Sequence, residues 1–456
     1  MTLLLLGCWV LLVGVVGLRV VKRRMHPSYL RQVTIRSMLW FGILGVVTTI
    51  LAGVLETWPW LLGYGQVLTG VVLLVTSFVT LRNMKARPTD GKFADRDLPT
   101  VTIAIPARNE TEDLELCLRS LVANDYPKLE ILVLDDCSQQ PKTADIIKSF
   151  AQDGVRFIPG DSPSKRWLAK NQAYQSLYEH ASGDVIVFAG VDTRFGPSSV
   201  RQIVYQMLER NKRMVSVLPI RKHASLEDSY IQPMRYWWEI ALPRKLFNRP
   251  AVLSTCWAIY RADVHALGTF KAVSRNVIPE QYFARELVET DSYSFLRSSA
   301  HLELETVKSV EQQRQTAMRL RYPQLHKRPE WVYVAILAYV LLLLGPLVQL
   351  PYLWIQSDTL GVTLVAAVLL TTTHALILRA ADPSNVAFSI LTFPVAVITD
   401  VFLIIVSMIR YEFFEIRWKD RNICLPVMHV YAGLPRLDSD DDETTADTSA
   451  GSARSR

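Results

Sequence analysis

The sequence predicts an α/β domain, a parallel sheet covered by helices on both faces, inserted between an N-terminal and a C-terminal block of membrane-spanning helices. Three observations carry that prediction. Half of the 456 residues are hydrophobic, and the apolar ones gather toward the two ends of the chain in runs of bilayer length. Between those runs, residues 82–330 have ordinary globular composition and suffice for one substantial core. Within that stretch, short β-rich runs alternate with helical periodicity, the order that yields parallel strands joined by crossover helices.

The first apolar block, residues 1–81, holds three runs, Leu3–Val21, Met38–Leu55 and Leu61–Leu81, each close to the roughly 20 residues of a transmembrane helix. The first has no basic residue ahead of it and is followed by "KRR", so it is expected to stay as an anchor and not to be cleaved as a signal peptide. Lys22, Arg23, Arg24, Arg31 and Arg36 follow the first run, and Arg82, Lys85 and Arg87 follow the third, whereas the turn "ETWPW" carries no base. The positive-inside bias then puts the N-terminus outside and the globular domain in the cytoplasm. The second block, residues 331–430, holds Trp331–Trp354, Leu360–Leu378 and Val386–Ile409. The last of these contains Pro394 and Asp400, which argue for a broken, re-entrant or interfacial pair of helices whose polar kink faces protein. Asp400 and His374 are the ionisable residues deep in the runs, which is little for coupled transport. Residues 431–456 are polar and aromatic-free and read as a disordered acidic tail.

Five cysteines, Cys8, Cys117, Cys137, Cys256 and Cys424, form no CxxC pair, which argues against a zinc site and fits reduced thiols. The formal charge of +7 is largely juxtamembrane and suits an anionic lipid surface. No stripe of bases and stacking aromatics suggests nucleic acid. Nothing in the pattern sets an oligomeric state.

Along the central stretch, "VTIAIP" is a strand and "TEDLELCLRSLVAN" a helix with Leu114, Leu118, Leu121 and Val122 on one face. "LEILVLDDCS" is a second strand ending in two acids, "KTADIIKSFAQDG" a helix closed by Gly154, and "VRFIP" a third strand. "WLAKNQAYQSLYEHASG" is the next helix and "DVIVFAG" the fourth strand. Polar residues collect at the strand ends: Arg108, Asn109 and Glu110 after the first, Asp135 and Asp136 after the second, Asp192 after the fourth. Each is also a good cap or turn former taken singly. Together they share the carboxyl edge of the sheet, where such folds bind ligands, and acids converging there call for a cation or a base between them.

With these residues the chain resembles the membrane-bound family 2 glycosyltransferases, which carry the GT-A nucleotide-sugar-binding, Rossmann-like fold, over roughly Thr100 to Arg421. "IPARNE" resembles the family's first-strand motif and "LVLDDCS" its Asp-Asp motif. "RWLAKNQA" resembles its Gly-Trp-x-Gly-Lys helix start, with Arg166 and Ala169 in place of glycines. "SGDVIVFAGVDTRF" resembles the strand that ends in two metal-facing acids, with Gly190 replacing the first of them, and "WKDR" resembles the motif after the last membrane segment. The chain looks most like the carotenoid-glycosylating, diaponeurosporenoate-type branch. The resemblance implies that Asp136 binds the uracil edge with Asp135 beside the ribose, and that Arg108, Asn109 and Glu110 line the nucleotide pocket. Lys170 then lies near the diphosphate, and Asp192 holds Mg2+ or Mn2+.

Where many members carry a Glu-Asp pair, this chain has Glu280 followed by Gln281, so Glu280 is the candidate base. An acid at a helix start is also favoured by the dipole alone. The acceptor-holding Gln-x-x-Arg-Trp of processive synthases is replaced by "EQQRQTAMRLRYP", which points to a single transfer and away from a polysaccharide synthase. The basic segment 312–330 that holds it reads as an interfacial helix. The expected function is inverting transfer of one sugar from a nucleotide-sugar donor, UDP-linked, to a membrane lipid acceptor of isoprenoid, carotenoid or glycerolipid type. The alternative motivated by Gly190 and Gln281 is a catalytically impaired scaffold that binds nucleotide or lipid as an accessory subunit.

Overall fold

A computed structural model of the chain describes residues 59–87, 93–164, 166–221, 226–242, 250–353, 359–414, 416–419 and 421–424. The runs Leu3–Val21 and Met38–Leu55 and the tail 431–456 lie outside the described residues.

The four expected strands form as read: β1 (Val101–Ala107), β2 (Leu129–Asp135), β3 (Val155–Pro159) and β4 (Val185–Ala189). They pair in parallel in the order β3, β2, β1, β4, with Val101 opposite Leu129 on one side and Val185 on the other. β1 and β4 are almost wholly buried because helices cover both faces of the sheet. Against one face pack Leu114, Leu118, Ile203 and Val204, and against the other Tyr174, Leu177 and Phe283.

Beyond β4 the sheet departs from the all-parallel expectation. It continues through β8 (Cys256–Tyr260), β6 (Met214–Leu218) and β9 (Tyr293–Arg297) to seven strands. β8 runs antiparallel to both β4 and β6. The chain comes back from the helix Asp228–Ile240 at the carboxyl edge, where Cys256 pairs with Ala189, and so can only run back across the sheet. A second sheet of β5 (Thr193–Phe195), β10 (Leu304–Thr306) and β7 (Ile220–Arg221) sits just beyond the end of β4.

Among the described residues, four helices are long and apolar enough to cross a membrane: Trp60–Asn83, Pro329–Leu350, Leu360–Ala381 and Phe393–Glu412. The first and third approach closely at Gly70, where a Cβ would stand 2.9 Å from the Cβ of Leu369. The second contains a π-helical stretch, Tyr339–Leu344, and the buried Gln66 donates to the Leu341 carbonyl at 2.9 Å there. The run read as Val386–Ile409 is broken, as Pro394 suggests, into helices Val386–Leu391 and Phe393–Phe413. The polar residue behaves differently from the expectation: Asp400 lies inside the longer helix, not at the break.

One core cluster joins the domain to these helices, running from Leu218 and Phe295 through Met234 and Trp237 to Leu370 and Ile404. Trp237 stacks on Phe393 with ring centroids 5.4 Å apart and donates to His374 Nδ1 at 2.9 Å. The basic segment is the helix Val310–Gln324, and its charges divide. Arg314 is exposed and paired with Glu311, whereas Arg321 is buried and paired with Asp400 at 2.6 Å.

Candidate active site

β1 and β2 end side by side, and the residues after them build a rim. Arg108, 6% exposed, donates to the carbonyl of Asp136 at 2.7 Å and to that of Cys137. Asn109 is held at φ 49, a left-handed conformation that Asn tolerates, and its carboxamide oxygen accepts from Gln139 N at 2.9 Å. Asp135 accepts from the amide of Ser138 at 3.1 Å and from its hydroxyl. The Asn109 and Asp135 side chains thus shape the two loops, as their turn-forming character allows.

The other three rim groups face the far end of the chain. A hairpin of β11 (Ile416–Trp418) and β12 (Arg421–Cys424) folds back onto them. Arg421 grips both oxygens of Asp136 at 2.6 and 2.7 Å. Lys419 pairs with the Glu110 carboxylate and donates to the Arg108 carbonyl at 2.8 Å, and Arg108 Nε donates to the Lys419 carbonyl at 3.1 Å. The "WKDR" stretch therefore belongs to the same place as the Asp-Asp motif.

A second cluster lies where β4 and the small sheet meet. Asp192, 8% exposed, turns back over the strand end, and a Cβ at Gly190 would stand 2.5 Å from its Oδ1. Antiparallel pairing of Thr306 with Thr193 carries the next turn past Asp192, so that Lys308 Nζ sits 3.2 Å from its carboxylate. Burial alone would raise the Asp192 carboxyl. The charge and hydrogen bond of Lys308 outweigh it and hold the group below its ordinary range.

Lys170 stands in the first turn of the helix Ala169–His180, and Glu280 in the first turn of Pro279–Glu289. They meet at 3.6 Å, with Glu280 3% exposed. Asn171 sets this distance: it is buried, and its amide donates to the carbonyls of Val273, Ser274 and Asn276, which ties the loop before Glu280 to the Lys170 helix. Burial pulls the Lys170 ammonium down to about 8; Glu280 works against the shift, and the charges of Arg319 and Lys308 add to it. A cleft between the domain and the helix Val310–Gln324 is lined by Glu280, Gln281, Arg235, Glu239, Leu320 and Gln324.

The structure thus groups Arg108, Glu110 and Asp136 on the rim and Lys170, Glu280 and Asp192 deeper in. Sequence reading missed Lys308, Arg235, Asn171 and Arg319. Asn171 lies in a motif that was noticed, whereas Lys308 reaches the site only through strand pairing. The residues around Asp192 offer a single carboxylate, and an ammonium already occupies it. Among the described residues no three His, Cys, Asp or Glu side chains come together in a way that could hold a metal. By themselves these residues make no complete divalent-ion site, because the one carboxylate they offer is held by Lys308.

Residues 102–268 match the model of the family described as Glycosyl transferase family 2. The chain is 27% identical over 183 residues to the probable glycosyltransferase YdaM of Bacillus subtilis (strain 168), covering 38% of this chain and 43% of that protein. It is 26% identical over 156 residues to the 4,4'-diaponeurosporenoate glycosyltransferase of Staphylococcus aureus (strain NCTC 8325 / PS 47), covering 34% and 40%. The chain matches less than half the length of these curated relatives. Among solved structures it is similar to the mannosyltransferase PcManGT from Pyrobaculum calidifontis in complex with GDP-Man and Mn2+, with TM-score 0.44 and 15% identity over 76% of this chain and 97% of that one. It is also similar to S. aureus TarS 1–349 in complex with UDP-GlcNAc, with TM-score 0.35 and 12% identity over 70% and 93%.

Proposed function

We propose, on the premise that residues 102–268 form a family 2 glycosyltransferase domain of the GT-A-like α/β type, that this chain is an inverting enzyme. It moves a single sugar from a nucleotide donor, UDP-linked, to the hydroxyl or carboxyl of a membrane lipid of isoprenoid, carotenoid or glycerolipid type. The observation that carries the reading is the place of Glu280. Its carboxylate is buried beside Lys170 and lines a cleft shared with Leu320 and Gln324 of a helix that packs on the apolar helix Phe393–Phe413. A base at the boundary between a nucleotide-sugar domain and membrane-length helices suits an acceptor whose reacting end arrives from lipid.

In this reading Arg108, Asn109, Glu110, Asp135 and Asp136 form the nucleotide rim, with Arg421 as part of it. Lys170 lies beside the diphosphate, and Glu280 takes the proton of the attacking group. The domain faces the cytoplasm, where nucleotide sugars are made, and the apolar helices anchor it in the membrane. An Mg2+ or Mn2+ ion bridging Asp192 to the donor, as the resemblance implies, would have to take that carboxylate from Lys308.

Mass spectrometry of lipid extracts from cells with and without the protein tests the reading. Expression should add lipid species heavier by one sugar residue, and Glu280→Gln should remove them. A second reading, a nucleotide- or lipid-binding accessory subunit, is favoured by Gln281 standing where a second acid would be. Unchanged lipid profiles from a protein that binds nucleotide in pure form would establish that reading in place of the first.

A further inference from the structure

We propose that Lys308 stands in for the divalent ion: its ammonium, together with that of Lys170, neutralises the donor diphosphate, and transfer proceeds without metal. This rests on the nucleotide-sugar reading above and specifies how that site handles charge. Three features of the structure carry it.

The first is the direction of Asp192. Gly190 leaves open the space into which Asp192 turns back, and a side chain there would meet its Oδ1 at 2.5 Å. The glycine that replaces an acid in the family motif leaves room for Asp192 in the position from which it pairs with Lys308 at 3.2 Å. The second is how firmly Lys308 is placed. Its carbonyl accepts from Arg221 Nη2 at 2.7 Å and from Gln313 Nε2 at 3.1 Å, and the next residue, Ser309, caps the helix Val310–Gln324 in a reciprocal capping box. The backbone is fixed in this way and the ammonium by its pair with Asp192, so the charge is in place before the reaction calls on it. The third is the local balance of charge. Lys170 is paired with Glu280 at 3.6 Å and Lys308 with Asp192 at 3.2 Å, so two ammonium groups are already held in the site by carboxylates, and a donor diphosphate would share them. A metal arriving at Asp192 would face the Lys308 ammonium at once.

The step balances without a further reactant. The acceptor oxygen forms its bond to the anomeric carbon while the bond from that carbon to the diphosphate oxygen breaks. The electron pair leaves on the diphosphate, which gains one negative charge beside the two ammonium groups, and the acceptor proton goes to Glu280. Asp192 acts through Lys308 as a positioning residue.

Calorimetric titration of UDP and of GDP into the full-length protein in lipid nanodiscs, in EDTA and in millimolar Mn2+, tests this. Binding of the preferred nucleotide is expected to persist in EDTA, within about threefold of its strength in Mn2+. Lys308→Gln should weaken it in EDTA at least about tenfold, the size of a lost hydrogen bond to a charged group. Lys308→Arg, which keeps the charge, should recover most of that loss. If Lys308→Gln fails to fold, the double variant Asp192→Asn/Lys308→Gln, which removes both charges of the pair, serves for the same comparison. Wild-type binding that requires Mn2+, or a Lys308→Gln variant that binds like wild type in EDTA, overturns the proposal and leaves the nucleotide-sugar reading standing. Failure of both nucleotides to bind in either medium overturns that reading and this proposal with it.

Discussion

Glu280 is the residue on which the proposed chemistry depends most directly. Glu280→Gln nearly keeps the volume but removes the proton acceptor, so turnover should fall by a factor of about 10² or more. Nucleotide affinity should hold well below pH 8, where Lys170 keeps its proton and is freed from its 3.6 Å partner, and should weaken sooner than wild type as the pH rises because Glu280 supports that proton. A kcat close to wild type, measured under saturating donor and acceptor, would take the base role away from Glu280. Lys170 adds a pH signature. Its proton is held only up to about pH 8, so the charge proposed to face the diphosphate is present below that value and lost above it. The donor KM should therefore rise as the pH passes through 8, while Lys170→Arg, which stays protonated, should flatten the rise. A donor KM that stays level from pH 7 to 9 in wild type would disprove it.

At the scale of elements, the helix pair Val310–Gln324 and Phe393–Phe413 carries the most unusual packing. They are joined by Ser407 donating to the Met318 carbonyl at 2.6 Å, Tyr411 donating to the Arg319 carbonyl at 2.8 Å, and the Arg321–Asp400 pair. Both members of that pair are almost fully buried, so removing one strands a charge in an apolar setting. Asp400→Ala should cost about 3–5 kcal/mol, visible as a lower melting temperature in detergent. Arg321→Met with Asp400→Leu should regain most of it, and a double variant no more stable than the single one would show that the pair is not the source. This packing was only half legible in the sequence. Pro394 announced the break and Asp400 announced a buried polar contact, but the partner was hidden in a segment that reads as a basic surface. Helical position alone does not say that Arg321 turns inward while Arg314 turns out. The four parallel strands were legible because each is a short run rich in Val, Ile, Leu and Phe bounded by turn residues. The antiparallel β8 was not, since its direction depends on where the chain re-enters the sheet. Lys308 was invisible for the same reason: no local pattern marks a residue that strand pairing delivers.

For the whole molecule the question is on which side of the membrane the chain finishes. The helix Phe393–Phe413 touches Trp237 near its start, and the hairpin after it touches Asp136. Both ends thus reach residues of the 82–330 stretch, and we propose that the helix lies along the membrane surface and returns the chain to the side it started from. A cysteine introduced at Asp438, beyond the described residues, should stay unlabelled by a membrane-impermeant thiol reagent in intact cells and react after lysis. Labelling in intact cells would make Phe393–Phe413 a full crossing.

The hairpin also sets an order of events during synthesis. Domains emerge from the ribosome N-terminal part first, and here the strands that carry Arg108 and Asp136 are made long before Lys419 and Arg421. The rim is finished only when the final apolar helix has been delivered and its hairpin has docked some 300 residues back along the chain. Chains stalled or cut before that point keep an incomplete rim, so on the proposed reading donor binding would wait until the last apolar helix is in place.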